Sequence, residues 1–267
     1  MTTVAEYYAN YYQTHKHEFY GEYGNDRLSE LLRQRVKPID TDKLVLGMDI
    51  GACIGEYQIN INAIVSESNR KFYSFEPNPA NLPRLRANVS TIVKDVAVSD
   101  IDSESGFFCV ENTNNHESYG LGGLRSGGSK ICEVKVKRMD TILDEENIPD
   151  DCIIKFVKID TEGNDGNVIK GFGRYINNVK YIIFECSNCL DDCRGPGIEN
   201  PMKDIVDYLS KNGFDTYRIG TERLIKVNDE YFHQVYENEK YWSNCFAIKK
   251  EDEFIHELID SEFKYIK

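Results

Sequence analysis

The strongest constraint on this chain is a rhythm that begins at residue 43. Short runs rich in β-branched and aromatic residues recur at 43–50, 71–76, 91–98, 156–160 and 181–185. Stretches of helix-forming length lie between several of them, at 55–66, 79–89 and 166–176. Parallel neighbours need a long crossover, usually a helix, so this alternation predicts βαβ units in an α/β fold with a mostly parallel central sheet and helices on both faces. A helix over 201–212 and strands over 214–219, 224–227 and 244–249, some antiparallel, complete the sheet. Asn78-Pro79 supplies a helix cap and a first-turn proline, which predicts a helix starting there.

The first 40 residues read as a helical extension of one domain whose core spans 41–267. Tyrosines at 7, 8, 11, 12, 20 and 23 accompany His15 and His17. The mix suggests a leading helix whose tyrosines pack on the main body; an aromatic lid over substrate is the alternative. Leu28, Leu31, Leu32 and Val36 then recur at helical spacing until Pro38, with the arginines between them on a solvated face. Residues 102–130 are rich in Gly, Ser and Asn and read as a long irregular loop on the acceptor side of the site.

Composition removes several classes of function. With 32 Lys and Arg against 45 Asp and Glu, the formal charge is -13. Such a surface repels a phosphate backbone, so general nucleic-acid binding is not expected. No uncharged apolar run approaches the ~18 residues of a membrane helix, and the first residues carry no basic and apolar leader pattern. Eight cysteines at irregular spacings read as reduced thiols. A cytoplasmic enzyme is the expectation; the oligomeric state is not legible.

Acids punctuate the strand ends, where ligands of open α/β sheets bind. The first strand runs into Met48-Asp-Ile-Gly-Ala-Cys-Ile-Gly, a turn with Gly51 and Gly55 before a helix. Asp49 beside that turn would repel a pyrophosphate, and the spacing is not Gly-x-Gly-x-x-Gly, so a nicotinamide dehydrogenase is disfavoured. A cationic or zwitterionic ligand fits better, such as the amino-acid part of S-adenosylmethionine. Glu76 at the second strand end suits two ribose hydroxyls. Asp95 suits an adenine amino group, with the Val96 region against the ring. Asp160 and Glu162 at the fourth strand end are candidates for taking a hydroxyl proton or holding a metal. Glu185 and Asn188, with Asp160, offer oxygen ligands for Mg²⁺. Cys186, Cys189 and Cys193 are read as free thiols, since the spacing reverses that of a radical enzyme and a zinc site needs a fourth ligand. His116, among Asn114, Ser118 and Tyr119, is a candidate for catalysis or substrate binding.

The run of Asp49-Ile-Gly-Ala-Cys-Ile-Gly, Tyr73-Ser-Phe-Glu-Pro-Asn-Pro, Ala97-Val-Ser-Asp, Arg138-Met-Asp-Thr-Ile-Leu and Lys158-Ile-Asp-Thr-Glu-Gly resembles the FkbM family of S-adenosylmethionine-dependent O-methyltransferases. Order and spacing match over roughly residues 45–190. The resemblance implies a Rossmann-like class I methyltransferase fold. It implies cofactor contacts at Asp49, Gly51, Glu76 and Asn78 and around Asp95, Val96 and Ala97; Ala52, Cys53, Gly55, Pro77 and Asp160 are further cofactor-binding candidates. It also implies methyl transfer to a hydroxyl, commonly on a sugar or a polyketide-type product. Asp160, His116 and Glu162 are the catalytic candidates, and no resident metal is assigned. Two departures stand out: Cys53 replaces an Asn common in the family, and the 186–200 segment is longer than usual. A carbohydrate hydroxyl is the expected acceptor. A small phenol or natural product, with Mg²⁺, and a catalytically silent nucleoside-binding module of a glycan-building complex are the competing readings.

Overall fold

A computed structural model describes residues 2–21, 23–110, 122–124, 129–185, 201–238, 243–260 and 263–265. The strands are β1 (Val45–Ile50), β2 (Arg70–Phe75), β3 (Ile92–Lys94), β4 (Ala97–Ser99), β5 (Ser103–Val110), β6 (Gly122–Leu124), β7 (Ser129–Arg138), β8 (Ile153–Ile159), β9 (Val179–Glu185), β10 (Phe214–Ile219), β11 (Arg223–Lys226), β12 (Asn244–Lys249) and β13 (Lys264–Tyr265). The α-helices are α1 (Val4–Thr14), α2 (Tyr23–Arg35), α3 (Gln58–Ile64), α4 (Leu82–Asn88), α5 (Met139–Glu145), α6 (Asp165–Gly171), α7 (Met202–Lys211), α8 (Val235–Asn238) and α9 (Phe254–Asp260). None among the described residues is long and apolar enough to cross a membrane.

Among the described residues, nine strands form one sheet in the order β13-β11-β10-β12-β9-β8-β1-β2-β3. The run β3-β2-β1-β8-β9 is parallel throughout, and β12 enters antiparallel between β9 and β10. This is the mostly parallel α/β sheet expected from the alternation. Side-chain parity divides the core in two. Leu46, Met48, Ile50, Ile154, Val157 and Ile159 face one cluster, with α5, α6 and α7 packed over it. Val45, Phe156, Tyr181, Ile183 and Phe246 face the other, beneath α2, α3 and α9. Each fully buried aliphatic contributes about 1.5–3 kcal/mol, so the sheet is clamped from both sides.

The amino-terminal extension belongs to this core. Thr3 caps α1, its hydroxyl accepting from Glu6 N at 3.2 Å while Glu6 accepts from Thr3 N at 2.6 Å. Tyr8 and Tyr12 are fully buried in the first cluster, as the packing expectation holds, whereas Tyr7 and Tyr20 are exposed. Leu28, Leu31 and Leu32 of the second helix, and Val36 just past its end, are buried in the second cluster. Arg33 and Arg35 are exposed, but Arg27 is only half-exposed and donates to Thr221 O at 2.5 Å.

Four local expectations need correction. The run 91–98 is not one strand: it breaks at Asp95, and β4 leaves the large sheet to pair with β7. Much of 102–130 is not irregular, because β4, β7, β5 and β6 form a second sheet in that order. Among the described side chains its buried cluster is Ala97, Val134 and Val136, with Leu124 and Cys132 packed against it. The helix expected from Pro79 begins at Leu82 with Pro83 in its first turn. Asn78 instead forms a turn by accepting from Ala80 N at 3.0 Å. The helix expected over 166–176 is α6 followed by a 3₁₀ segment, Gly173–Asn178, whose first residue, Gly173, has φ 50°.

One ion pair inside the second face is testable. Lys155 Nζ lies 2.6 Å from Glu67 Oε1, both side chains at most 2% exposed, where β8 shifts register against β1. Removing one charge strands the other in a low-dielectric site. Lys155→Met is expected to cost about 3–5 kcal/mol in urea denaturation. Adding Glu67→Gln is expected to recover part of it, because the amide is uncharged and still accepts from Ile39 N. Equal losses in the single and double variants would contradict this.

Candidate active site

The carboxyl ends of β1, β2 and β8 meet in a crevice, and backbone bonds fix its floor. Gly51 N and Ala52 N both donate to Phe75 O, at 3.0 and 2.9 Å, and Asp160 N donates to Ile50 O at 2.8 Å. Gly51 has φ 82°, and a Cβ there would lie 1.8 Å from Asp160 O. The glycine is thus required by the approach of β8 to the turn. Gly55, at φ 89°, is crowded by Val89 instead. Cys53 sits between them at φ 47°, a left-handed conformation that Asn adopts more readily than Cys.

Glu76 staples the turn to the second strand end. It is 4% exposed, accepts from Cys53 N through Oε2 at 2.8 Å and from Asn78 N through Oε1 at 2.8 Å. These amides take two of the carboxylate's acceptor directions, and the Asn81 side chain adds a further hydrogen bond. Burial raises its pKa to about 7 against the bonds from Asn78 N, Cys53 N and the Asn81 side chain.

Asp49 and Lys158 are register partners on adjacent strands. Both are buried, and the Lys158 ammonium lies 3.0 Å from Asp160 Oδ2. Asp49 Oδ2 has no hydrogen-bond partner among the described residues. Burial raises its pKa to about 7; Lys158 opposes this, and Asp160 and Glu76 add to it. Behind them, burial and the Asp160 charge raise Asp165 to about 6, opposed by its bonds from Glu185 N and the Thr161 hydroxyl.

A pocket of about 270 Å³ opens over this floor, bounded by Asn25, Asp26, Asp49, Gly51, Ala52, Cys53, Glu56, Tyr57, Asn60, Lys158 and Asp160. Five expected residues, Asp49, Gly51, Ala52, Cys53 and Asp160, line it. Glu76 and Asn78 are buried behind the turn, Pro77 is half-exposed beside them, and Gly55 continues the turn. Asp95 is exposed, 3.9 Å from Arg86; Val96 is buried in the first cluster and Ala97 in the small one. Glu162, at φ 56°, lies outside the lining; its carboxylate and those of Asp160 and Glu185 fall within 4.8 Å of one another. Oxygen ligands suit a divalent cation, but Asp160 already holds Lys158 as counter-ion. His116, Cys186, Asn188, Cys189 and Cys193 lie outside the described residues.

The sequence reading missed Lys158, quoted in a motif without a role, and the wall contributed by α2. A lysine in a strand flanked by apolar residues and followed two positions later by an acid was the available signal. Nothing in the apolar spacing of α2 marks Asn25 and Asp26 as pocket residues.

An acid-lined crevice at the carboxyl ends of a parallel sheet is where Rossmann-like folds bind their nucleoside ligands. Residues 49–216 match the Methyltransferase FkbM domain, more than half of the sequence. The protein belongs to the FkbM methyltransferase family, whose cofactor is S-adenosylmethionine. It is similar to the methyltransferase FkbM from Methylobacillus flagellatus KT, at 15% identity and a TM-score of 0.40, over 89% of this chain and 57% of that one. This chain thus spans little more than half of that relative's length. It is also similar to the O-methyltransferase from Bacillus cereus in complex with SAH, at 10% identity and a TM-score of 0.44, over 92% and 90% of the two chains. The O-methyltransferase TomG from Streptomyces achromogenes, involved in tomaymycin synthesis, aligns at 11% identity and a TM-score of 0.42 over 92% and 89%. No curated protein matches.

The raised acids make stability depend on pH. Asp49 and Glu76 both titrate near about 7 in the folded protein, against about 4 when unfolded. The folded state therefore holds extra protons in this window. Their contribution is fully present below pH about 4 and is lost as pH rises through about 7. Urea midpoints are expected to fall from pH 5 to pH 8, and to fall less in Asp49→Asn. An identical fall in the variant would contradict the assignment.

Proposed function

We propose that the protein is an S-adenosylmethionine-dependent O-methyltransferase acting on a hydroxyl of a sugar in a glycan or glycoconjugate. The observation that carries the donor part is Asp49: a carboxylate 3% exposed, with Oδ2 unpartnered among the described residues, lining a pocket that Asp26, Glu56 and Asp160 also bound. Four carboxylates against Lys158 suit a ligand bearing positive charge. When bound, S-adenosylmethionine supplies an electrophilic methyl on a sulfonium. Asp49 is the proposed partner of its ammonium group, with Gly51, Ala52 and Cys53 as the adjoining backbone. Glu76, with Pro77 and Asn78 beside it, is proposed for the ribose hydroxyls. The adenine end is assigned to Asp95, Val96 and Ala97, the segment that follows β3 as Glu76 follows β2.

Asp160 is the proposed base or methyl-site orienting group. Lys158 donates to its Oδ2, which leaves Oδ1 for a hydroxyl proton. The sulfonium is already activated, so in-line positioning of the hydroxyl is expected to supply much of the rate. His116 and Glu162 are the secondary candidates. Support for a sugar acceptor comes from the polar and aromatic residues of 114–119, which suit hydroxyl edges and flat C–H faces.

The test is mass-spectrometric detection of methyl transfer to panels of glycosides, oligosaccharides and phenols. Transfer to a sugar hydroxyl, with kcat in Asp160→Asn lowered about 10²–10⁴-fold by more than any rise in donor KM, is the expected result. Binding of the nucleoside without transfer to any hydroxyl would support the silent module. Transfer to phenols only, abolished by chelation, would move the acceptor and assign the Asp160, Glu162 and Glu185 grouping to a divalent ion.

A further inference from the structure

We propose that the first turn of α2 forms a wall of the donor pocket and that Asp26 on it sets the preference for the sulfonium-bearing donor over its uncharged sulfide product. The inference rests on the donor reading above and deepens it. The helix lies outside residues 49–216, so the family match does not include this wall.

The wall is fixed rather than incidental. Leu28, Leu31, Leu32 and Val36 anchor α2 on the second face of the sheet, with Val45, Ile61 and Phe156. Ser29 Oγ lies 2.5 Å from the hydroxyl of Tyr57, itself a pocket residue stacked on Phe156 at 6.1 Å. Arg27 ties the same turn to Thr221 O, and a Cβ on Gly24 would lie 2.7 Å from Gly220 O. Asn25 and Asp26 are thereby held at the pocket mouth.

Asp26 is exposed and has no ion pair or hydrogen bond among the described residues, unlike Asp160, which has Lys158. The buried Asp49 oxygen without a partner, lining the same pocket, independently points to a cationic ligand. S-adenosylmethionine carries an ammonium, a sulfonium and a carboxylate, a net positive charge. S-adenosylhomocysteine lacks the sulfonium and is neutral overall. A carboxylate at the pocket therefore acts on the difference between them. At about 5 Å in a water-like dielectric this corresponds to about fourfold in affinity ratio. It is screened as the Debye length falls from about 10 Å at 0.1 M salt to about 3 Å at 1 M.

Titration calorimetry of the full chain, with Asp26→Asn and Asp26→Glu, against both nucleosides at 0.05 M and 1 M salt tests this. At low salt, Asp26→Asn is expected to lower the preference for S-adenosylmethionine over S-adenosylhomocysteine by about three- to fivefold, and Asp26→Glu to keep it. At 1 M salt the variants should converge, with melting temperatures near wild type throughout. Equal weakening of both ligands, or an unchanged ratio, would overturn the charge role. Wild-type protein binding neither nucleoside would sink the donor reading and this inference with it, a different outcome from an altered ratio.

Discussion

Everything in the site depends on how the turn after β1 is tied to its two neighbouring strands. The Phe75 carbonyl holds it from β2, the Ile50 carbonyl receives Asp160 N from β8, and the absent side chain of Gly51 lets the Asp160 carbonyl close in. The Glu76 carboxylate then accepts Cys53 N and Asn78 N and locks the far side. Short charge-assisted bonds of this kind are roughly twice as strong as neutral ones. Three strand ends become one rigid floor, and the acids at those ends inherit fixed positions.

That rigidity has an electrostatic cost. Asp49, Glu76 and Asp165 are drawn out of water, and burial is the leading cause of the raised pKa of each. Lys158 is the internal compensation, adjacent in register to Asp49 and paired with Asp160. One ammonium does not balance the group, so the crevice keeps an excess of negative potential. A site preorganised this way needs no rearrangement to meet a cationic ligand.

The sheet was legible because buried parallel strands are rich in apolar β-branched and aromatic residues, as β8, β9 and Phe72-Tyr73-Ser-Phe75 of β2 are. Asp49, Gly51 and Asp160 could be placed because open α/β sheets bind ligands at strand carboxyl ends. What escaped notice had weaker signals. The second sheet starts β5 with Ser103-Glu-Ser-Gly106 and builds β6 from Gly122-Gly-Leu124, segments whose composition resembles a loop. The break at Asp95 is marked by no more than the Lys94-Asp95 pair within an otherwise β-branched run. Lys158 looked like an ordinary motif letter until register set it beside Asp49. Asn25 and Asp26 are separated from the motif by more than twenty residues, and only tertiary packing of α2 brings them to it.

The central claim is that the crevice bounded by Asp49, Tyr57 and Asp160 receives the methyl donor. A crystal structure grown with S-adenosylhomocysteine tests it most directly. The account predicts the nucleoside in that crevice, its ammonium group against Asp49 and its ribose hydroxyls against Glu76. Density for the nucleoside elsewhere on the protein, with Asp49 and Glu76 untouched, would contradict it.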